Sequence, residues 1–128
     1  MTKHTTSHAH HDRMREFPRR EIFQLSIAAH NAGFKEIQRE WPPLGLWDPA
    51  GNRWHWFDIS GIINGQFILL DFEPGYWDSR PTKPELERLR QKKEWAARFQ
   101  IPLYIIPHGF TTLEMTILLK KFVMETQK

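Results

Sequence analysis

Two acidic residues directly follow the most apolar run of the chain, and their spacing suits the binding of a cation. The run Phe67–Leu70 is followed by Asp71 and, two positions later, by Glu73. Residues two apart on a strand project to the same face, so these two carboxylates would lie side by side and repel each other. A divalent cation relieves such repulsion, which makes the pair a candidate metal site. A solvated strand end is the alternative interpretation.

A third carboxylate, Asp58, lies on the preceding segment, which is rich in aromatic residues. Asn64-Gly65 is a strong hairpin turn signal, so Asp58 and Asp71 are expected on antiparallel neighbouring strands. With strands of equal length and a simple register, we expect the two aspartates to lie apart. Strand twist and a bulge at Gly61 would bring them together, so the sequence leaves their distance open.

Seven elements are predicted to position these acids, in the order α-β-β-β-α-β-α. Helices are indicated by apolar residues at spacings of three and four, and by the capping pair Thr111 and Glu114. Strands are indicated by alternation, aromatic residues and bounding turns. The predicted elements are a helix at about 19–32, strands at about 35–41, 53–59 and 66–72, a helix from Pro84, a strand at 101–106 and a helix after Thr111.

Length and composition indicate one folded domain. The chain of 128 residues is 40% hydrophobic and 26% charged, which suits a single core. We expect residues 1–14 to form a flexible, histidine-rich tail and residues 15–128 to form one α/β domain. The absence of cysteine excludes disulfide scaffolds, thiolate metal sites and cysteine nucleophiles. No stretch approaches the roughly 20 apolar residues of a membrane span, so we expect a soluble, cytoplasmic protein without a membrane partner.

Charge is distributed unevenly along the chain. The segment 34–78 contains three basic and seven acidic residues, a net charge of −4. The whole chain carries +3, so the remainder carries +7. A basic periphery around an acidic middle suits a protein that binds a polyanion and a divalent cation together. Ordinary scatter of surface charge is the alternative.

The order of elements and the positions of the acids resemble the PD-(D/E)XK nuclease superfamily, with its restriction-endonuclease-like core. The resembling segments are Trp54–Asp58 and Leu70–Trp77, followed by the helix that contains Lys92–Ala97 and by the apolar strand after it. The likeness covers about residues 19–106 and is strongest with small Vsr-like and phage-type members. It implies a mixed central sheet flanked by helices, with the core order α-β-β-β-α-β and a further helix at the C-terminal end.

The resemblance also implies a metal centre. Asp58 and Asp71 match the two metal-binding acids of the superfamily, and the backbone carbonyl of Phe72 matches the third ligand. Glu21 matches the acid of the first helix, which reaches the metal through water. A ligand set made only of oxygen atoms favours Mg²⁺ or Mn²⁺ over softer metals.

One position departs from the superfamily pattern. Glu73 stands where most members have a lysine that helps to orient the attacking water and offsets charge in the transition state. Members with two acids at this point take a base from elsewhere, which implies Lys92 or Lys93 of the second predicted helix in this chain. The catalytic set that the resemblance implies is Glu21, Asp58, Asp71, Glu73 and Lys92.

The partner that the resemblance implies is DNA, either duplex or branched. Tyr76 and Trp77 are expected to stack on a base or, alternatively, to cover the core. Basic residues of the second helix and the loop before it would contact phosphates, with a solvated helix face as the alternative. The predicted phosphate contacts are Arg80, Lys83, Arg88, Arg90, Lys92, Lys93 and Arg98. Similar small nucleases often act as dimers, which implies a possible homodimer.

Two functional hypotheses follow from these observations. The first is a metal-dependent DNA endonuclease that hydrolyses phosphodiester bonds. The second is a catalytically degenerate module on the same fold that binds nucleic acid or a protein partner, and it is motivated by Glu73 at the lysine position. Both hypotheses depend on where the chain places its acidic and basic side chains.

Overall fold

The computed structural model describes residues 20–41, 47–48, 53–54, 57–75 and 80–126. The predicted tail at 1–14 and the aromatic residues Tyr76 and Trp77 lie outside these ranges. The elements are α1 at 20–31, β1 Lys35–Trp41, β2 Trp47–Asp48, β3 Arg53–Trp54, β4 Phe57–Ile63, β5 Gln66–Phe72, α2 Lys83–Arg98, β6 Leu103–Ile106 and α3 Thr112–Thr126.

A mixed four-stranded sheet of order β1-β4-β5-β6 forms the centre of the fold. β1, β4 and β5 are antiparallel neighbours, whereas β6 runs parallel to β5 after the crossover through α2. The short strands β2 and β3 form a separate two-stranded antiparallel sheet. These elements confirm the predicted α/β class with a mixed sheet flanked by helices.

The turn between β4 and β5 confirms the predicted hairpin. Asn64 and Gly65 both have positive φ, at 52° and 75°, as a two-residue turn between twisted strands requires. The register is regular from the pair Ile63 and Gln66 to the pair Ile59 and Leu70. The bulge at Gly61 that the sequence left open is absent from the pairing of β4 with β5. The irregularity lies in β1, where the register shifts between Lys35 and Gln38, opposite Gly61. Gly61 instead makes room for packing, because a Cβ there would lie 3.0 Å from the Phe34 ring.

Helices pack on both faces of the sheet. The larger core cluster joins α1 and α3 to one face, with Leu25, Leu70 and Leu119 fully buried in it. The smaller cluster joins α2 to the other face through Trp95 and Leu69. The alternation of side chains along β5 separates the two clusters, since Ile68 and Leu70 belong to the first whereas Leu69 belongs to the second.

The strand predicted at 53–59 differs in its bounds and its pairing from the strands in the structure. Residues 53–54 pair with β2, and the sheet strand begins only at Phe57 and continues to Ile63 at the turn. The aromatic residues placed the start of the predicted strand too early in the sequence. They favour strand structure, but strand propensity does not determine which strand a segment pairs with. Asp58 therefore lies at the start of a strand that extends away from it.

Both later helices begin with reciprocal side-chain caps. The predicted pair is confirmed at α3, where the Thr111 amide donates to Glu114 Oε1 at 3.0 Å and the Glu114 amide donates to Thr111 Oγ1 at 3.1 Å. Thr82 and Glu85 form the same arrangement at α2. Within the described ranges, no helix is both long and apolar enough to cross a membrane.

Candidate active site

Asp58 and Asp71 lie side by side on neighbouring strands. The Asp58 amide donates to Asp71 Oδ1 at 2.9 Å, and the Phe72 amide donates to Asp58 Oδ2 at 2.8 Å. The expectation that a simple register would separate the aspartates is wrong. Five residues lie between each aspartate and the two-residue turn, so the regular register brings them opposite each other.

Lys92 reaches the aspartate pair from helix α2. Its Nζ lies 2.8 Å from Asp71 Oδ2, and the two side chains are only 14% and 5% exposed. The same ammonium lies 5.4 Å from the centroid of the Phe57 ring. Of the two lysines proposed from the sequence, Lys92 contacts the pair, and Lys93 is exposed on the helix surface.

The aspartate pair holds more negative charge than its surroundings offset. Burial and the neighbouring Asp71 carboxylate raise the pKa of Asp58 well above its ordinary value, although Lys92 and the Phe72 amide act in the opposite direction. Lys92 supplies one positive charge for two carboxylates. The pair therefore has the electrostatic character of a site that gains from a further cation.

His108 is a pocket residue that the sequence reasoning missed. It follows β6, whose last residue Ile106 lies in register with Phe72. The His108 ring stacks on Phe72 with the two planes 9° apart, and its Nδ1 lies 3.0 Å from Glu21 Oε2. The parallel pairing of β6 with β5 was the available signal, because residues after parallel strands meet at one edge of a sheet.

Burial and hydrogen bonding act in opposite directions on His108. Burial of the ring lowers the pKa of His108, but the bonds to Glu21 and to the Glu73 backbone carbonyl outweigh burial and raise the pKa above its usual value. The ring is therefore held among groups that favour its charged form.

Glu21 and Glu73 occupy places different from those of the two aspartates. The half-buried Glu21 carboxylate is bound to His108. Glu73 is exposed, and its Oε1 accepts a bond of 3.3 Å from the His108 amide. The expected direct pairing of Asp71 with Glu73 gives way to the Asp71–Asp58 pair, because strand β5 ends at Phe72 and Glu73 turns towards the chain after β6.

These residues line one open cavity of about 350 Å³. Of the described residues that line it, five are acidic, whereas Arg88, Lys92 and His108 are basic. The carboxylates are Glu21, Asp58, Asp71, Glu73 and Glu85. Glu85 also closes one wall, because its Oε2 accepts a bond of 3.0 Å from the Gly75 amide in the loop after β5.

The donor types in the cavity suit a hard cation. Among the described residues, no three acidic or histidine side chains are grouped closely enough to hold a metal by themselves. The implied ligand set needs only two side chains, Asp58 and Asp71, with the Phe72 carbonyl as the third oxygen. Carboxylate and carbonyl oxygens are the ligands that Mg²⁺ and Mn²⁺ prefer, so the residues present fit these ions by chemical type.

The predicted phosphate contacts fall into two groups. Arg88 lines the cavity, one helical turn from Lys92. Arg90 lies on the outer face of α2, where it pairs with Glu87 at 2.6 Å and Glu94 at 2.8 Å. The remaining exposed basic residues are Arg80, Lys83, Lys93 and Arg98. The predicted stacking residue Trp77 lies outside the described residues.

Comparison with known proteins adds no relative from which a role could be transferred. No protein-family model matches the chain, and no curated protein is significantly similar to it in sequence.

Proposed function

We propose that this protein is a metal-dependent DNA endonuclease, built on a restriction-endonuclease-like form of the α/β fold. The observation that carries the proposal is the pair formed by half-buried Asp58 and buried Asp71, with the Lys92 ammonium 2.8 Å from Asp71, in the lining of an open cavity. Two acids and a lysine on adjacent elements are the residue types that phosphodiester hydrolysis of this class requires. The resemblance in the order of elements supports the same proposal.

Asp58, Asp71 and the carbonyl of Phe72 would hold the Mg²⁺ or Mn²⁺ ion. When bound, such an ion activates water for attack and neutralises charge on the phosphate. The backbone amides of Asp58 and Phe72 orient the two carboxylates, so neither side chain has to find its position on binding. This preorganisation is a property of the hairpin itself.

Most members of the superfamily have a lysine at the position of Glu73, and in this protein Lys92 would supply that group. Its ammonium orients Asp71 through the bond to Oδ2, and it lies in the cavity where negative charge develops during phosphate hydrolysis. A helix supplies this group instead of the strand, which explains how the site keeps a lysine although residue 73 is acidic. Arg88, one turn away on the same helix, would bind a phosphate of the substrate.

The test is cleavage of DNA by the purified protein in Mg²⁺, Mn²⁺ or EDTA. Supercoiled, linear and branched DNA should be compared, and the variants Asp71→Asn, Asp58→Asn and Lys92→Met should be run beside the wild type. We expect cleavage only with metal, and a loss of at least about 100-fold in each variant, since each removes a group that acts in the transition state. Lys120→Met, at an exposed position of α3, is the matched lysine control.

Two outcomes would contradict the proposal. Cleavage that survives both aspartate substitutions would show that a different site, or a contaminating nuclease, is responsible. If the DNA stays intact in every reaction although circular dichroism shows that the protein is folded, the proposed nuclease activity is wrong.

A second candidate function is a non-catalytic module that binds DNA, and a specific contact set favours it. Both oxygens of Asp71 already accept hydrogen bonds, from the Asp58 amide and from Lys92. A cluster satisfied in this way can serve to stabilise the fold without a metal. Salt-sensitive DNA binding that is equal in EDTA and Mg²⁺, without cleavage, would support this candidate.

A further inference from the structure

His108 connects the segment after β6 to α1 and to the end of β5. Its Nδ1 lies 3.0 Å from Glu21 Oε2 on α1, and its Nε2 lies 2.7 Å from the backbone oxygen of Glu73 at the end of β5. Its backbone amide donates to Glu73 Oε1, and its ring stacks on Phe72. The His108 side chain is only 9% exposed. His108, in the segment that follows β6, thus contacts α1, the last residue of β5 and the residue after it.

Both ring nitrogens are engaged with oxygen atoms that accept hydrogen bonds. A carboxylate and a backbone carbonyl offer no hydrogen to a ring nitrogen, so each nitrogen of His108 acts as the donor. Neither nitrogen has a lone pair left to remove a proton from water. The arrangement therefore suits a residue that holds its neighbours in place, and does not suit a general base.

Glu21 needs such a partner because of its surroundings. It shares the cavity with Asp58, Asp71 and Glu73, so carboxylate repulsion favours a conformation that turns Glu21 out into water. Its side chain also has free rotation about several bonds, which ordering must overcome. The bond to His108 opposes both effects and keeps the Glu21 carboxylate at the cavity.

We propose that His108 is a positioning residue of the active site, which holds Glu21 at the cavity and fixes the backbone at Phe72 and Glu73. This inference depends on the proposed function, since it assigns a role within that reaction. His108 acts through the groups that it contacts, among them Glu21 of α1, whereas Lys92 comes from α2 on the other face of the sheet. Partners of this kind behind a metal site commonly change metal affinity or activity by 10–100-fold when they are replaced.

The first experiment separates the two ring contacts by substitution. The Asn amide nitrogen lies near the position of His Nδ1 and the Gln amide nitrogen near that of Nε2, so His108→Asn can keep the bond to Glu21 and His108→Gln the bond to Glu73. His108→Ala removes both. We expect His108→Ala to lower kcat by roughly 10–100-fold with little change in KM for DNA, and each conservative variant to restore part of the loss.

A double substitution tests whether His108 acts through Glu21. We expect Glu21→Ala to lower kcat, and His108→Ala to lower it much less in the Glu21→Ala background than in the wild type, because coupled residues are not additive. Fully additive losses would overturn the connection to Glu21. The conservative variants also serve if His108→Ala does not fold, which circular dichroism and thermal unfolding will show.

Two further readouts do not depend on DNA cleavage. In the nitrogen-15 spectrum of the metal-free protein, both ring nitrogens of His108 should carry slowly exchanging protons, and Glu21→Ala should remove the Nδ1 signal. Mn²⁺ affinity, measured by electron paramagnetic resonance, should fall by roughly 10–100-fold in His108→Ala.

The outcomes distinguish this inference from the proposed function. Absence of the two protected ring protons in the wild type would overturn the contacts themselves. Protected protons together with unchanged Mn²⁺ affinity and kcat in His108→Ala would overturn the positioning role alone. A wild-type protein that shows the protons but neither binds Mn²⁺ nor cleaves DNA would overturn the proposed function and, with it, the role assigned to His108.

Discussion

The folded state disfavours the ionised form of Asp58. Burial and the Asp71 carboxylate raise its pKa, so the folded protein binds the Asp58 proton more tightly than the unfolded chain does. The free energy of unfolding of the metal-free protein then falls as the pH rises from the unfolded pKa of about 3.9 towards the folded value. Residues retained at such a disadvantage are common where function requires them.

We therefore expect Asp58→Asn to stabilise the metal-free protein at neutral pH. Asparagine cannot ionise, and its carbonyl oxygen can still accept from the Phe72 amide. A gain of about 1 kcal/mol in the free energy of unfolding at pH 7 is typical of such changes, and the gain should disappear near pH 4. Urea unfolding in EDTA at both pH values measures it.

The matched control is Glu36→Gln, which removes a carboxylate from an exposed position of β1. Its effect on stability should be small at both pH values. A destabilised Asp58→Asn protein at pH 7, with the same deficit at pH 4, would show that Asp58 is not held at a disadvantage.

Lys92 should contribute to stability because it neutralises the aspartates. Loss of one partner of a buried ion pair commonly costs about 3–5 kcal/mol, and Lys92 retains some exposure, so we expect about 3 kcal/mol for Lys92→Met at pH 7. The deficit should be smaller at pH 4, where protonation removes the uncompensated charge. Lys93→Met, at the exposed neighbouring position, should change the free energy of unfolding little. Equal effects of the two substitutions in urea unfolding would contradict the burial of the pair.

At the scale of secondary-structure elements, α3 offers two faces with opposite environments. Leu119 is fully buried against the sheet, whereas Ile117 is 60% exposed. We expect Leu119→Ala to cost about 2–5 kcal/mol through lost burial and the cavity left behind. Ile117→Ala should change the free energy of unfolding by no more than about 0.5 kcal/mol. Thermal or urea unfolding of the two variants compares the faces directly, and similar losses would contradict the packing of α3.

The sequence predicted the elements well where a local signal was strong. The strands at 35–41 and 66–72 and the turn at Asn64-Gly65 match the structure, and so does the cap of α3. The segment at 53–59 was wrong because its aromatic residues have strand propensity in any sheet. Propensity does not specify which strand a segment joins, and here β3 joins β2.

The site was only partly predictable for a similar reason. The acids Asp58 and Asp71 are recognisable by type, but their contact depends on the register of β4 with β5, which places five residues between each of them and the turn. Lys92 was one of two candidates, and the orientation of α2 on the sheet decides between them. His108 was missed because its role depends on the pairing of β6 beside β5, which no local pattern reveals.

At the scale of the whole molecule, charge rather than shape should govern encounters with DNA. The chain carries +3 in total, although acidic residues outnumber basic ones among the described residues that line the cavity. In the proposed function, phosphate binding therefore depends on Arg88 in the cavity and on basic residues around it. Lys83 and Lys93 on α2 are exposed and available for such contacts.

We expect DNA affinity in EDTA to fall steeply with salt. Each phosphate contact contributes roughly 0.9 to the slope of log affinity against log salt for duplex DNA, so the double variant Lys83→Met with Lys93→Met should lower the slope by roughly 2. The pair Lys120→Met with Lys121→Met on α3 controls for net charge. Fluorescence anisotropy over a salt series measures both, and equal slopes for the two variants would contradict a DNA surface on α2.

The distances along the chain between the contacting residues imply an order in which the pocket assembles. Asp58 and Asp71 are 13 residues apart and join across one hairpin, and Asp71 and Lys92 are separated by 21. Glu21 and His108 are separated by 87 residues, so their contact closes by far the largest loop. During synthesis the aspartates can pair long before His108 is available. We therefore expect the contact between Glu21 and His108 to form last of these three, and to complete the pocket when both sides of the sheet are in place.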